Sequence, residues 1–292
     1  MDFTYSLCID GLTDIGVRRT NNEDAWWAGQ LGGPNRFMES GPAPLLLPEG
    51  AAAAPALLLV SDGVGGANAG EVASQMAVTL IAGELSREAA ALAQGESARG
   101  AILNALHVAD TAIKNKAADP VFDGMGATLS LVCFTGDGTV WWGQAGDSRI
   151  YLCRHGHLRQ VSRDHSPVGR MRQEGKITEE EARRHPQRNQ IDQSLGDPTN
   201  PFQPDVGCEK VQVGDVCLVC SDGVSDGLWD REIEGVLTAV RSAADVRPAV
   251  QKLVAGAKQA SGRDNITAIV ALVVPNEGGA TRPGLWRRIL RS

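Results

Sequence analysis

The sequence predicts an α+β fold, a four-layer α-β-β-α sandwich in which two stacked antiparallel β-sheets are flanked by helix pairs. Three observations support this prediction. Strand-like and helix-like segments occupy separate stretches of the chain, whereas parallel sheets need strands and helices to alternate. Tight-turn sequences separate several strands, which indicates hairpins and antiparallel pairing. The helix-like segments are apolar along one side, so each needs a sheet to cover.

The amino-terminal half is predicted to contain strands over residues 5–12, 25–28 and 57–64, followed by helices over 70–88 and 101–117. The helices are indicated by apolar residues at spacings of three and four, such as Val72, Met76 and Leu80. Residues 29–55 combine glycine, proline and an alanine run with little periodicity. We expect this stretch to be a surface insertion without fixed structure, because long segments of this kind are usually functional or disordered.

The carboxy-terminal half is predicted to contain strands over 127–134, 140–146, 149–154, 158–161, 206–213, 216–220 and 266–274, with helices over 179–184, 229–241 and 246–261. Turn sequences at 135–138 and at His155-Gly156 predict hairpins. No proline-, serine- and glycine-rich linker divides the chain. We therefore expect one domain over residues 1–275, followed by a basic tail over 276–292 that is predicted to be flexible.

Composition narrows the classes of function. The chain has 292 residues, of which 42% are apolar, a formal charge of -7 and a pI near 5.3. An acidic chain is a poor match for a nucleic-acid backbone. No segment is apolar for long enough to cross a bilayer, and the first residues do not resemble a secretory signal, so a cytoplasmic protein is expected.

The six cysteines show no disulfide spacing and are expected to be reduced. Cys217 and Cys220 form a C-x-x-C sequence inside a predicted strand. That spacing places the two thiols on opposite faces, which argues against a zinc or redox site.

Acidic residues occur at the ends of several predicted strands. The phrase Ser-Asp-Gly-Val appears at 61–64 and again at 221–224, each time after an apolar run. A glycine after the aspartate lets a backbone carbonyl or a ligand approach closely. Further acidic groups precede or begin other strands, so the full set of carboxylates is Glu23, Asp24, Asp62, Asp222 and Asp264.

A single aspartate of this kind is usually a turn residue or a helix cap. Four acidic groups at strand ends, with the adjacent Glu23 and Asp24 counted as one group, are better explained by a shared cation. Oxygen ligands without histidine or thiol favour magnesium or manganese. Two cations bridged by one carboxylate would activate water and clamp a phosphoryl group, which predicts phosphoester hydrolysis. Arg19, close to Glu23 and Asp24, is a candidate for binding phosphoryl oxygens.

Several motifs in this order resemble those of the metal-dependent protein serine/threonine phosphatases of the protein phosphatase 2C family, bacterial type. The matching segments lie between about 13 and 274: they are 13–24, Asp62-Gly63-Val64-Gly65-Gly66 with 70–74, 125–129, 143–149, 163–166 with 174–186, Ser221-Asp222-Gly223 and Asp264-Asn265. The fold of that family, two antiparallel sheets between helix pairs, agrees with the pattern above.

The resemblance implies a role for each candidate residue. Asp62 would bridge two metals, and the Gly63 carbonyl and Glu23 would hold one of them. Asp222 and Asp264 would hold the other, and Asp147 would help to bind a weaker third metal. Arg19 and Asp24 are the expected catalytic residues, with Arg19 also binding the substrate, and residues 165–200 would form a mobile flap beside the site. The cofactors implied are two Mn²⁺ or Mg²⁺ ions and a third that binds weakly.

The predicted function is hydrolysis of phosphoserine and phosphothreonine in proteins by a metal-activated water. The expected partners are phosphorylated proteins, including a serine/threonine kinase or its targets, and the chain is expected to act as a monomer in signal transduction. Some relatives use a histidine directly after the bridging Asp-Gly as a general acid, and many bacterial ones have a histidine after the double glycine. This chain has Val64 and Ala67 there, so the source of the leaving-group proton stays open.

Two alternatives stand beside this prediction. The chain could be a catalytically weak signalling or binding module with the same fold, although it lacks none of the expected carboxylates. Cys153 and Arg159 have the C-x5-R spacing of thiol phosphatases, but their segment is predicted to be a hairpin without the helix end that such chemistry needs. His107, His165 and His185 are expected to be structural, and Arg149 to pin a hairpin together with Asp147.

Overall fold

The computed structural model describes residues 5–32, 45–46, 55–65, 69–94 and 97–275. Its strands are β1 (Tyr5–Asp14), β2 (Asp24–Gln30), β3 (Leu45–Leu46), β4 (Ala56–Val64), β5 (Gly126–Ala127), β6 (Leu129–Phe134), β7 (Thr139–Ala145), β8 (Arg149–Arg154), β9 (His157–Gln160), β10 (Asp205–Lys210), β11 (Val216–Cys220) and β12 (Ile266–Pro275). Its helices are α1 (Ala69–Arg87), α2 (Ala89–Gln94), α3 (Ala98–Ala117), α4 (Pro167–Gln173), α5 (Glu179–Arg184), α6 (Asp222–Gly227), α7 (Asp230–Thr238) and α8 (Ala243–Ala260).

The described strands form two antiparallel sheets. One has the order β3-β1-β12-β11-β8-β9, and the other has the order β10-β7-β6-β4-β2, with β5 paired to β4. Three apolar cores separate the layers: one lies between the sheets, one lies between the second sheet and α1 and α3, and one lies between the first sheet and α7 and α8. The predicted four-layer α+β sandwich is therefore confirmed.

Alternation along the central strands explains how a fully apolar run serves two cores. Leu57 and Leu59 of β4 pack towards α1 and α3, whereas Leu58 and Val60 pack between the sheets. Successive side chains of a strand point to opposite faces, so both faces of β4 are buried. The same rule separates Cys217, in the core between the sheets, from Cys220, in the core beneath α7 and α8. The expected lack of a zinc or redox site at this C-x-x-C sequence agrees with that separation.

Most predicted elements occur within a few residues of their expected bounds, and β8, α5 and β11 match them. Three short helices were not predicted. α2 consists mainly of alanine and lacks a periodic pattern, and α4 begins at a Ser166 cap and Pro167 inside a polar segment. α6 has the sequence Asp-Gly-Val-Ser-Asp-Gly, in which most residues are weak helix formers.

One predicted hairpin is absent from the described chain. β7 and β8 are separated by three residues, as two strands of a hairpin are, yet β7 belongs to one sheet and β8 to the other. The connecting residues 146–148 thus cross between the sheets, and Asp147 lies at the crossing. β10 and β11 are likewise divided between the sheets, despite the turn at Gly214-Asp215. A short loop at the edge of a sandwich can change sheets as easily as it can form a hairpin.

Parts of two predictions lie outside the described residues. Of the expected insertion over 29–55, residues 33–44 and 47–54 are not described, while Leu45–Leu46 forms a short strand beside β1. The predicted tail over 276–292 and Ala67 are also outside the described chain. Among the helices that are described, none combines the length and the apolar character needed to span a bilayer.

Candidate active site

A polar cleft of about 410 Å³ lies where ends of strands from both sheets meet. Its walls include seven of the residues singled out in the sequence: Arg19, Glu23, Asp62, Gly63, Asp147, Asp222 and Asp264. The flap segment also lines the cleft, through Arg183, Arg188, Asn189 and Ile191. The remaining predicted residue, Asp24, is not part of the lining. The fold therefore gathers side chains that are up to 245 positions apart, as the contact of Arg19 with Asp264 shows.

Asp62 is held by its backbone on both sides. Its amide donates to Thr128 Oγ1 at 3.1 Å, and its carbonyl accepts from the Thr128 amide at 2.8 Å. Thr128 Oγ1 in turn lies 2.6 Å from Ser148 Oγ, beside the crossing between the sheets. Because the backbone around Asp62 is fixed, its carboxylate is presented to the cleft in a restricted range of positions.

The glycines of both Ser-Asp-Gly-Val phrases are required by close backbone packing. A Cβ on Gly63 would lie 2.1 Å from the Gly70 carbonyl oxygen, and one on Gly223 would lie 2.0 Å from that of Asn265. Such distances are well inside van der Waals contact, so no side chain fits. The prediction that these glycines admit a close backbone approach is confirmed. In both cases the neighbour brings another part of the site against the strand end.

Glu23 is fixed by a cluster of hydrogen bonds to its backbone. Its amide donates to Asn265 Oδ1 at 2.8 Å, and its carbonyl accepts from the Gly63 amide at 3.1 Å and from Ser74 Oγ at 2.6 Å. Asn265 also donates through Nδ2 to the carbonyls of Ile15 and Asn21, each at 3.0 Å. Asn265 thus attaches the amino-terminal loop to the beginning of β12. Its only signal in the sequence was a weak one, its place directly after Asp264.

Arg19 lies between two of the candidate carboxylates. Its Nη2 donates to Asp264 Oδ2 at 2.8 Å, and its Nη1 lies 3.5 Å from Glu23 Oε2. The hydrogen bond to Asp264 raises the pKa of the guanidinium, which burial would lower. The side chain stays 45% exposed, so the part of the guanidinium that is not used by these carboxylates faces the cleft.

Asp24 is held beneath the cleft by two hydroxyl groups. Its Oδ2 accepts from Ser221 Oγ at 2.7 Å and from Thr267 Oγ1 at 2.6 Å, whereas its buried Oδ1 has no hydrogen-bond partner among the described residues. Burial raises the pKa of Asp24 to about 6, against the effect of both hydroxyl groups. A direct role in substrate contact is not supported by this position, and the residue is better placed to orient other groups.

Asp147 shares its surroundings with a buried ion pair. Arg149 Nη2 donates to Asp164 Oδ2 at 2.7 Å, and Arg149 Nε lies 3.0 Å from the same oxygen. Arg149 was expected to pair with Asp147, so its partner in the structure is a correction. Burial, followed by the charge of Asp164, raises the pKa of Asp147 to about 7. Asp164 satisfies the arginine, and Asp147 remains available to the cleft.

The cleft concentrates negative charge. Burial and the charge of Asp24 raise the pKa of Asp62 well above its usual value, and burial and Asp147 do the same for Asp222. Within the part of the chain that the structure describes, the buried Asp222 Oδ1 has no hydrogen-bond partner, like Asp24 Oδ1. Buried carboxylates normally pair with hydrogen-bond donors or cations.

These observations fit divalent cations of the magnesium and manganese type, because the ligands on offer are carboxylate and carbonyl oxygens. Among the described residues, no group of three histidine, cysteine, aspartate or glutamate side chains is already arranged around one ion position. The carboxylates are near neighbours that repel each other, and a cation would draw them together.

Two groups of functional interest were not predicted. Asp226 on α6 lines the cleft, and burial raises its pKa. Arg183 on α5 lines it too, and contacts the end of α6. Their signals in the sequence were weak, because α6 was not predicted and the segment 165–200 has little apolar pattern.

The three histidines that were expected to be structural make local contacts within the fold. The ring of His107 packs edge-on against Phe202, and His185 Nδ1 accepts from the Gln187 amide at 3.2 Å. His165 Nδ1 lies 3.4 Å from the Gly146 amide. Cys153 is buried in β8, and the turn that follows it has positive φ at His155 and Gly156, as tight hairpin turns do. No helix begins there, so the C-x5-R match is accidental.

Comparisons with known proteins identify phosphatases that are similar to this chain. A family model described as Protein phosphatase 2C matches residues 50–270. The serine/threonine protein phosphatase PstP of Mycobacterium tuberculosis is 33% identical over 282 residues, which cover 93% of this chain and 46% of PstP. This chain thus spans about half of that relative. The protein phosphatase PhpP of Streptococcus pneumoniae is 33% identical over 269 residues, which cover 92% of this chain and 98% of PhpP.

Solved structures give the same result. A serine/threonine phosphatase of S. agalactiae superimposes with a TM-score of 0.75 at 31% identity, covering 91% of this chain and 99% of that one. The catalytic domain of PstP in complex with two manganese ions superimposes with a TM-score of 0.69 at 30% identity, covering 93% of this chain and 100% of that domain.

Proposed function

The chain belongs to the protein phosphatase 2C family, and on that premise we propose that it hydrolyses phosphoserine and phosphothreonine in proteins at a binuclear Mn²⁺ or Mg²⁺ centre. The observation that supports this proposal most directly is the set of mutually repelling carboxylates around one cleft, with a buried oxygen on Asp222 that no described residue hydrogen-bonds. Burying several carboxylates next to one another costs free energy, and cations bound in the cleft would offset that cost.

The residues that would hold the two cations are Asp62 between them, Glu23 and the Gly63 carbonyl on one side, and Asp222 and Asp264 on the other, with Asp147 available to a third, weaker ion. Bound cations of this type supply Lewis acidity, which activates water near neutral pH and neutralises charge on phosphoryl oxygens. The chain contributes the fixed positions of these oxygens, through Thr128 behind Asp62 and Asn265 behind Glu23.

Arg19 would bind the phosphoryl group of the substrate. Its guanidinium lies against Asp264 and Glu23 and remains partly exposed, so its position is fixed before a substrate arrives. A planar guanidinium matches the spacing of phosphate oxygens. Asp24 would act by orienting its neighbours, because Ser221 and Thr267 hold it beneath the cleft.

The side chain of Val64 has no acidic proton that it could donate to the leaving oxygen. Val64 lines the cleft and is 42% exposed, at the position where some members of the family have a histidine. We propose that the leaving-group proton comes from water, which has access to the open cleft.

The decisive experiment measures hydrolysis of a phosphothreonine peptide and of p-nitrophenyl phosphate with and without Mn²⁺. We expect activity that requires the metal, is lost on chelation and falls at least about a hundredfold in Asp222→Asn. Asp123→Asn, which changes an exposed carboxylate outside the cleft, should leave the rate unchanged. Equal, metal-independent rates in wild type and Asp222→Asn would favour the alternative of a binding or signalling module, and loss of activity only to a thiol alkylator would favour a cysteine enzyme.

The proposed substrates are phosphorylated proteins, and a serine/threonine kinase or its targets would be among them. Of the two relatives described above, PstP is named a serine/threonine protein phosphatase and PhpP a protein phosphatase, which agrees with that class of substrate. The monomeric state and the cytoplasmic location remain predictions from the sequence.

A further inference from the structure

Helix α5 of the flap segment contacts the turn that follows α6. α6 begins at Asp222 and carries Asp226, so it places two carboxylates of the cleft. Its last residues and the next turn, 225–230, face α5. The two helices are about 40 residues apart in the chain, so the contact is purely tertiary.

One side chain makes most of this contact. Arg183 Nη1 donates to the Asp226 carbonyl at 2.9 Å, and Nη2 donates to the Ser225 carbonyl at 2.7 Å and also to the Leu228 carbonyl. Its guanidinium lies 4.2 Å from the ring centre of Trp229, and Glu179 of the same helix pairs with it at 3.2 Å. Arg183 is thus held in a single position by partners on two sides.

Two of the carbonyls that Arg183 binds, those of Ser225 and Asp226, belong to the last turn of α6 and need such a donor. The last carbonyls of a helix have no partners inside it, and a cation near this end also interacts favourably with the helix dipole. α6 has six residues, including two glycines, and cannot be stable through its own hydrogen bonds. At its other end, the Ser221 side chain does not cap the helix: its hydroxyl oxygen accepts from the Thr267 amide at 3.0 Å, and its hydroxyl donates to Asp24.

We propose that Arg183 is a positioning residue that fixes α6, and through it the Asp222 carboxylate, for cation binding. This inference rests on the proposed function, in which Asp222 is a ligand. The guanidinium does not touch the reacting atoms in this role. It acts by capping the carbonyl end of the helix whose first residue is the ligand. A planar group with several donors can bind three carbonyls at once, which the ammonium group of a lysine cannot do with the same geometry.

The helix offers a matched control. Arg184 is the next residue along α5, and its side chain is 78% exposed and pairs with Glu180 on the same helix, at 2.8 Å. Replacing Arg184 removes the same charge from the same helix without touching α6. A second anchor of the flap, the contact of Arg172 and Glu179 with Asp230, is retained in both variants.

The test compares wild type, Arg183→Met, Arg183→Lys and Arg184→Met in the full chain. Methionine keeps an unbranched side chain and removes every donor, together with the guanidinium that lies over Trp229. Two quantities are measured: the Kd for Mn²⁺ alone, by calorimetric titration, and hydrogen exchange of the amides of residues 224–228 without metal. We expect Arg183→Met to raise the Kd for Mn²⁺ about tenfold or more and to exchange these amides about tenfold faster.

The Kd for Mn²⁺ and the amide exchange rate of Arg183→Lys should lie between those of Arg183→Met and wild type. Arg184→Met should match wild type in both measurements. An unchanged Kd together with unchanged exchange in Arg183→Met would overturn the proposal, and so would an equal effect in Arg184→Met. Equal acceleration of the amides of α3, which covers the other sheet, would show a global loss of stability and would also count against it. If wild type binds no Mn²⁺, the metal centre in the proposed function is wrong, and the metal-free exchange of residues 224–228 alone decides the capping role of Arg183.

Discussion

Asp24 and Asp62 are register partners in the antiparallel pair of β2 and β4, so two carboxylates face the same side of adjacent strands. Like charges placed opposite each other destabilise a sheet. The two carboxylates lie at the end of the strand pair, where the hydroxyl groups of Ser221 and Thr267 donate hydrogen bonds to Asp24. Burial makes both carboxylates harder to ionise, and the charge of Asp24 adds to this effect at Asp62, so the pKa values of both are raised.

Asp62→Asn is expected to stabilise the metal-free protein by about 1 kcal/mol, because it removes one of two opposed charges. The same substitution should abolish Mn²⁺ binding and metal-dependent hydrolysis, since Asp62 is the proposed bridge. Urea unfolding in the presence of a chelator and calorimetric titration with Mn²⁺ measure the two effects. Asp123→Asn is the control and should change neither. Lower stability of metal-free Asp62→Asn would contradict the inferred repulsion.

The stability of the metal-free protein should fall as the pH rises from about 4 to 7. The pKa values of Asp24 and Asp147 are raised to about 6 and about 7, so these groups stay protonated in the folded state while the unfolded chain has released the protons. Each such carboxyl group contributes a slope of about -1.4 kcal/mol per pH unit. Denaturant unfolding between about pH 4 and pH 8 with a chelator measures the slope. Mn²⁺ at saturation should reverse it above about pH 6, since cation binding favours the ionised forms.

Alanine at Gly63 or Gly223 should disrupt the site, because the added Cβ would lie about 2 Å from a carbonyl oxygen. We expect a loss of at least about 3 kcal/mol in stability, or no folded protein, and loss of activity. Gly83 in α1 and Gly235 in α7 are matched controls, because no described atom outside the local helix backbone lies within 4 Å of the place that a Cβ would take. Alanine there should stabilise the fold by up to about 1 kcal/mol. Thermal unfolding of the four variants ranks them, and a tolerated Gly63→Ala would argue against the close packing.

Asn265→Ala removes three hydrogen bonds from a residue that is 2% exposed. Because the Glu23 amide and two carbonyls lose their partner, a loss of about 3 kcal/mol is expected. Activity should require more Mn²⁺ for half-saturation, since Glu23 is no longer fixed. Asn200→Ala, which changes an exposed asparagine in a turn, is the control. A variant with wild-type stability and an unchanged Mn²⁺ requirement would show that Asn265 does not fix this loop.

The fold and most of the site could be predicted because they depend on local patterns. The apolar run before Asp62 makes a strand, and the tight packing around Gly63 follows from the glycine itself. The features that could not be predicted depend on which residues, separated in the sequence, come into contact in the fold. The pairing of Arg149 with Asp164, and not with Asp147, is one such feature.

Two further features were missed for related reasons. β7 and β8 have the spacing of a hairpin, but β8 pairs with β11 of the other sheet and not with β7. α6 has a sequence that favours a turn, and its helical form depends on tertiary contacts such as those of Arg183. Local propensity is weak evidence wherever such contacts decide the conformation.

The pairing of β1 with β12, from Tyr5 opposite Pro275 to Asp14 opposite Ile266, has a consequence for biosynthesis. β12 lies in the middle of its sheet, between β1 and β11, yet it is the last described strand to leave the ribosome. β1 must therefore wait until residues 266–275 have been made before its long partner β12 exists, although the short β3 is made much earlier, which makes closure of this sheet a late and slow step of folding. Because Glu23 takes its position from Asn265, a nascent chain that ends before residue 265 should lack the proposed metal site, so the proposed phosphatase activity would begin only after synthesis has passed this point.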